Sequence, residues 1–417
     1  MKKIFISFFL FFIFIFLIFN NESFFNFVKK NLPSNFKHYV KKKIFAKQLD
    51  KFDQMNFILY NQHFLPSTQF EDLEFEKISL DFIKTNKMGY HKNSVKKFLF
   101  EKYDNNLYII SKKNIYKFQN FKFHKNKKIS TNLKNFSIED TLDISKVGKY
   151  IFISVNEKKS NSECGNLKIL YSEINDEFLK FKNFYTFKEC LINIVGGRIK
   201  EYNFNNATGF LITTGSYGED NSFLSQNDNS NYGKIIFFDL IKKNPIIFSK
   251  GHRNPQGLFV EDNLILSTEH GDYGGDEINN IVYKKNYGYP ISSYGDLYSF
   301  RENILPERKN FNFLKNHKKK SFEEPIFAFI PSIGISEIVK LPNTFSKYWQ
   351  NNYLISSLNA RSLYRVKFDS DHKKILYMEK IYIGERIRDI IVDNEDNKIY
   401  LALENSGSIG IINIKNN

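Results

Sequence analysis

The sequence predicts an all-β chain: a six-bladed β-propeller behind an N-terminal membrane anchor and a short helical lead-in. Three observations carry this. From Phe98 onward, short apolar runs recur six times, each behind a polar turn. The segments between them are clusters of Asn, Asp, Gly and Lys, the punctuation of strands rather than helices. The first twenty residues are almost wholly apolar behind two lysines.

The N-terminus reads MKKIFISFFLFFIFIFLIFN, with Lys2 and Lys3 followed by an uncharged run from Ile4 to Phe19. That run is a little short of the ~20 residues of a typical span. Asn20, Asn21, Glu22 and Ser23 offer no small-residue cleavage site, so residues 1–20 read as an uncleaved signal anchor. The lysines keep the N-terminus cytoplasmic by the positive-inside rule. The rest of the chain is then expected outside a bacterial inner membrane, in the periplasm. Residues 21–97 read as a helical lead-in or stalk. Between Asn35 and Asn61 they are Lys-rich, with apolar positions at Tyr39, Ile44, Phe45, Leu49 and Phe52 in a loose helical pattern.

Residues 98–417 are assigned to the propeller. The recurring runs are NLYIIS, YIFISV, FLITTG, NLILST, NYLISS and KIYLAL, near Leu107, Tyr150, Phe210, Leu264, Tyr353 and Ile399. Each is apolar on both faces, as required of a strand covered by a blade on either side. The chain's 45 Phe supply large side chains for the layers between blades. The Lys- and Asn-rich insertion from Tyr298 to Glu324 reads as a surface loop. Cys164 and Cys190, the only two cysteines, flank strand-like runs in the second blade. They form either a disulfide between neighbouring strands, as an oxidising compartment allows, or two separate buried thiols. Their spacing does not suit zinc.

A net charge of +16 and a pI near 9.3 would permit nucleic-acid binding, but the lysines are scattered and no binding motif accompanies them. No nucleic-acid partner is expected. Oligomeric state is not legible.

The most informative stretch is GHRNPQGLFVEDNLILSTEHGDYGGDEINNIVYKKNYGYP, from Gly251 to Pro290. An Arg-Asn-Pro-Gln-Gly turn leads into an apolar strand, then an acidic glycine-rich loop, then an Asn-Tyr-Gly turn. Glycines admit close backbone approach, and carboxylates beside exposed carbonyls suit a hard cation. Further motifs follow the same order: GGRI from Gly196, FLITTG from Phe210, YGKIIFFDL from Tyr232, IPSIGIS from Ile330, SLNARSLYRVKFD from Ser357 and RIRDIIVD from Arg386. From roughly Leu142 to the C-terminus the chain resembles the soluble quinoprotein glucose/sorbosone dehydrogenase family. Those proteins are six-bladed propellers holding pyrroloquinoline quinone and calcium at one end of the central channel.

The resemblance implies a quinone- and calcium-dependent aldose dehydrogenase acting on a sugar or other small molecule. It assigns quinone contacts to Arg253, Asn254, Arg386 and Arg388; guanidinium groups suit a carboxylated quinone through charge-assisted bonds. The other reading of the last two is surface arginines paired with Asp389 or Asp393. The resemblance assigns calcium to Glu277 and to Tyr287 through its carbonyl; the alternative is that Asp276 and Glu277 cap a turn. Gly271 and Asp272 stand where the family more often has Gly-Pro. The departures bear on catalysis. The family's general-base histidine falls at Ile194, which accepts no proton, and an aspartate near it falls at Ser216. A quinone-contacting glutamine has no counterpart around Asn135 to Asp140, and a lysine is replaced by Asn359. His270 is the candidate base if the protein is catalytic. The alternative function is a non-catalytic propeller binding a glycan, small ligand or protein partner.

Overall fold

The computed structural model describes residues 71–87, 94–123, 126–158, 162–175, 177–216, 221–296 and 313–415. All lie in one compact unit, His63–Asn417. The expected anchor over residues 1–20, most of the lead-in and the first part of the 298–324 insertion fall outside the described residues. Among the described residues no helix is long and apolar enough to cross a membrane.

Six sheets, one per blade, follow one another along the chain; each has four antiparallel strands, and the first adds a short fifth strand, Phe178–Leu179, parallel to Asn126–Thr131. The first strands of the blades are Leu99–Tyr103, Ile138–Val147, Gly196–Phe204, Pro255–Glu261, Ile335–Lys340 and Ile387–Asp393. Each touches the next, and the last returns to the first, so they enclose a central channel. The six apolar runs are the second strands: Asn106–Ser111, Tyr150–Lys158, Ala207–Thr214, Leu264–Glu269, Asn352–Ser357 and Lys398–Leu403. They are the most continuously buried elements because a blade packs on each face. Between the second and third blades, Phe152 packs on Phe210 at 4.8 Å, and Phe184 meets Phe210 at 5.4 Å and Phe238 at 5.8 Å. These are the large aromatics expected to fill the inter-blade layers.

The ring closes differently from the expectation. Leu73–Ser79, inside the segment read as helical lead-in, is a strand that pairs antiparallel with Ser408–Ile414 as the outer strand of the sixth blade. The propeller therefore takes in residues upstream of Phe98. The sequence LEFEKIS alternates sides as an edge strand does, and pairing it covers an edge that would otherwise be open. Cys164 and Cys190 form a disulfide, with Cα atoms 5.4 Å apart, joining the start of the second blade's third strand to the loop after its fourth.

In the third to sixth blades the ladder between first and second strands slips by one residue near its start, at Gly196–Ile199, Pro255–Gly257, Ile335–Ile338 and Ile387–Ile390. A bulge re-aims the side chains it contains. Here the bulges carry Arg198, Gln256, Glu337, Arg388 and Asp389. Arg198 is 3% exposed. Its Nη1 lies 3.0 Å from Asp143, 3.2 Å from Asp389 and 3.3 Å from Glu337, its Nε donates to the Gln256 carbonyl at 2.7 Å, and its Nη2 donates to the Arg388 carbonyl at 3.1 Å. One guanidinium thus joins five blades. Its carboxylate partners also accept backbone N–H groups of neighbouring blades: Asp143 from Ile199, Glu337 from Leu258 and Asp389 from Phe100. Burial works against the Arg198 charge, but Asp389, Glu337 and Asp143 outweigh it and hold the group above its ordinary value. Burial raises Asp143 to about 6 and Glu101 to about 8, against the pull of Arg198 on the first and of Lys200 on both.

Arg198→Met should strand three buried carboxylates and lower stability by about 3–5 kcal/mol, measured by urea unfolding at neutral pH. A second outcome concerns pH. The folded-state value of Glu101 lies above its ordinary one, so the folded chain holds a proton that the unfolded chain has lost. Stability from this group is full below the ordinary carboxylate value and is lost as pH rises through about 8. Glu101→Gln should flatten that loss, which unfolding midpoints at acidic and alkaline pH would register.

Candidate cofactor and metal site

The linker from the third to the fourth blade and the acidic glycine-rich loop meet at the end of the channel where the first strands begin. They form a small cleft lined by Arg253, Glu269, His270, Gly271, Glu277 and Tyr287, among others. Residues assigned from sequence to the quinone and to the cation therefore share one cleft. Gly275 lets the loop turn back on itself. Its φ is +71°, and a Cβ there would sit 2.3 Å from the Gly295 nitrogen.

Arg253 is 5% exposed. It donates through Nη1 to the His270 carbonyl and through Nη2 to Asp272, both at 3.0 Å. Asp272, the departure in the Gly-Pro position, thus supplies this arginine's counter-charge. Asn254 accepts from Gln256 Nε2 at 2.7 Å, and Gln256 Oε1 accepts from Arg388 Nη1 at 2.9 Å. This chain of amides links the fourth-blade turn to the sixth blade.

Arg386 and Arg388 do hold a carboxylate, but it is the protein's own. Arg388 Nε donates to Glu404 Oε1 at 2.6 Å and Arg386 Nε to Glu404 Oε2 at 3.1 Å. Neither pairs with Asp389 or Asp393, which serve Arg198 and Lys102. Burial pushes the Glu404 carboxyl up, but Arg388 and Arg386 outweigh it and leave it below its ordinary value. Arg386 uses the Nε side of its fork here and keeps 27% of its side chain exposed. The pair fits a carboxylated ligand approaching from outside.

The cation residues divide. Asp276 is committed to backbone, accepting from Gly271, Ile333 and Ile335, each at 3.0 Å; for this residue the turn-capping reading holds. Glu277 is different. It stands opposite Glu269 in the ladder, and burial, with Glu269 beside it, raises its carboxyl well above the ordinary value. Among the described residues neither glutamate has a lysine or arginine in ion-pair range. Two adjacent buried carboxylates without such a partner fit a cation. The Tyr287 hydroxyl is used elsewhere, donating to the Asn280 carbonyl at 2.5 Å, so only its backbone is left for a cation. Among the described residues no cluster of three or more His, Cys, Asp or Glu has metal-holding geometry. A cation here relies on carbonyl and water oxygens besides Glu277.

Ile194 is 7% exposed and packs in the apolar layer between the second and third blades. Ser216 is fully buried, its hydroxyl turned to the carbonyls of Asn221 and Ser222. Asn359 is an exposed turn residue. His270 Nε2 bonds the Ile335 carbonyl, which leaves Nδ1 as its only basic nitrogen, and burial holds its pKa below the ordinary value.

A family model described as Glucose / Sorbosone dehydrogenase matches residues 148–411, more than half of the chain. The chain belongs to the glucose/sorbosone dehydrogenase family. It is 28% identical over 200 residues to the protein slr1608 of Synechocystis, covering 44% of this chain and 46% of that one. It is 26% identical over 282 residues to the aldose sugar dehydrogenase YliI of Escherichia coli, covering 62% of this chain and 71% of that one. The match thus spans less than half of the first relative. The fold is that of the aldose sugar dehydrogenase of Streptomyces coelicolor in its PQQ-bound form, with a TM-score of 0.59 at 17% identity over 84% of this chain and all of that one.

Sequence reasoning missed Glu404 and Glu269 at this candidate site, and named Asp272 as a departure from Gly-Pro without seeing it as the partner of Arg253. Glu404 had a signal: it is a carboxylate directly after the apolar run IYLAL. Glu404→Gln should leave two arginines beside an uncharged amide and lower stability by about 3 kcal/mol. Millimolar citrate should restore part of that loss while giving the parent chain no comparable gain, as thermal unfolding would record.

Proposed function

We propose that this glucose/sorbosone dehydrogenase-like chain binds a carboxylated quinone and a divalent cation in the cleft, but is a poor sugar oxidant. The observation that carries the reading is the gathering of Arg253, Glu277, Tyr287 and His270 around one cleft, joined through Asn254 and Gln256 to Arg388 and Arg386. Pyrroloquinoline quinone, when bound, would supply the acceptor for a hydride, which carries both electrons of the oxidation, and the sugar hydroxyl proton would go to a base. The chain's own residues then have separable tasks. Arg386 and Arg388, held at Glu404, bind carboxylate, while Arg253 and Asn254 orient the ligand from the fourth blade. Glu277 and the Tyr287 carbonyl hold the cation, calcium by family resemblance. What is missing is a base for the sugar hydroxyl proton. Ile194 offers none, Ser216 donates inward, and the loss of a general base costs roughly 10²–10⁴-fold in rate. Among the described residues lining the cleft, His270 is the one histidine, and its Nδ1 is left to take that role.

The second reading, a propeller that binds a glycan, small ligand or protein without turnover, is favoured by the burial of Ile194 in an apolar layer. An oxidising compartment outside the inner membrane, reached through the N-terminal anchor, is supported by the Cys164–Cys190 disulfide.

The test is reconstitution of purified protein with quinone and calcium. Bound-quinone absorbance is expected, lost in an Arg386→Ala, Arg388→Ala double variant. Oxidation of aldoses with an artificial acceptor should be slower by about 10² or more than in a relative with the histidine. Robust turnover that survives His270→Ala would show that a base lies elsewhere; turnover lost in that variant would retire the non-catalytic reading.

A further inference from the structure

A lysine buried beside the cleft has no acid to pair with. Lys234, the first residue of the third blade's third strand, is fully buried. Its Nζ donates to the carbonyls of Leu224, Ser225 and Tyr232 at 2.7, 2.8 and 3.0 Å. Among the described residues no carboxylate is in ion-pair range of it; Asp228 is bonded to Lys250 instead, at 2.7 Å. A buried charge without a counter-ion is destabilising, and an apolar side chain of that volume would serve packing better. What the ammonium group does is gather carbonyls. All three of its hydrogens are used, and all go to one segment, residues 221–232. Gly233 allows the close approach: its φ is +69°, and a Cβ there would stand 2.4 Å from Ser225 Cβ.

That segment braces the cleft. Ser225 Oγ and Gln226 Nε2 both donate to the Tyr289 carbonyl at 2.6 Å. Gln226 Nε2 also donates to Asn286 Oδ1 at 3.1 Å, and Asn286 Nδ2 returns a bond to Gln226 Oε1 at 2.7 Å. The Gly251 amide donates to the Ser225 carbonyl at 3.1 Å. Tyr289 lines the cleft, and the Arg253 guanidinium lies over its ring, 5.9 Å from the centroid. Contacts therefore run unbroken from Lys234 through the segment to Tyr289 and Arg253. The regular structure of the segment is one short 3₁₀ turn, Ser222–Ser225, so its place is set by bonds from outside it.

We propose that Lys234 is a positioning residue for the cleft: it gathers the 221–232 strap, and the strap fixes Tyr289 and Arg253 where a carboxylated ligand meets them. This deepens the ligand-binding reading above and rests on it. Without the ammonium group three carbonyls turn inward with no donor, and the strap loses its mount on the third blade.

The experiment uses the full chain in detergent at mildly acidic pH, because burial, with Lys250 beside it, pulls the ammonium group down to about 7. Lys234→Met removes the donors and keeps the stem. Ser225→Ala cuts a bond from the strap to Tyr289 and leaves Lys234 in place. Hydrogen exchange without ligand, read by mass spectrometry, should speed up by about tenfold or more over residues 221–232 and 286–289 in Lys234→Met, and stay unchanged in the sixth-blade strand Lys398–Leu403. Quinone affinity, read from bound-quinone absorbance, should fall by about tenfold in each single variant. The double variant should lose no more than one of them, as members of one chain of contacts do. Exchange that rises equally in the sixth blade marks a general loss of stability and overturns the positioning role. Additive losses of affinity, or an affinity unchanged in Lys234→Met, overturn it too. If Lys234→Met does not fold, Lys234→Gln is read in the same way. If the parent chain binds no quinone, the ligand reading fails, and the exchange pattern alone decides whether Lys234 holds Tyr289.

Discussion

The ring of blades depends on the Arg198 guanidinium in its central channel. Six first strands converge there, and three of them bring backbone N–H groups, at Phe100, Ile199 and Leu258, that face a neighbouring blade rather than water. Carboxylates on three of the strands accept those groups across blade boundaries. Three acids at close range repel one another, and only a central cation makes them compatible. Arg198 supplies it while also donating to two carbonyls. Lys200, Glu101 and Asp143 extend the same network. The channel is therefore a filled, polar axle, and the apolar layers between blades surround it.

The same device sets up the candidate site. The bulges that turn Arg198 and Glu337 into the channel occur at the corresponding position in four blades, and in the sixth the bulge carries Arg388 and Asp389 together. Asp389 faces Arg198 while Arg388 faces Glu404 and Gln256, so adjacent residues serve the axle and the ligand end respectively. Arg388 even contributes its carbonyl to Arg198. The arginines proposed to meet the ligand are thus mounted on the network that closes the ring. Glu404 and Asp272 then serve as internal carboxylates, which hold the guanidinium groups in place and reduce the net charge that a ligand meets.

Much of the fold was legible because it rests on short-range patterns. A second strand covered on both faces must be apolar throughout, and six such runs marked six blades. The strand Leu73–Ser79 escaped notice because an edge strand is only half-buried and its partner lies more than 300 residues away in sequence. The disulfide was open between two readings, since bonding distance is a property of the folded blade.

The sequence by itself determined the all-β class, the count of blades, the family likeness and the residue types at the cleft. Only the tertiary structure decided what those residues do. Alternation along the strand puts Arg386 and Arg388 on one face, but that their shared carboxylate is Glu404 could not be read from spacing. The burial of His317 against Tyr294 was likewise hidden in a lysine-rich insertion. Composition marks such a segment as solvent-facing, yet its single histidine is buried because a glycine in a distant turn leaves room for the ring.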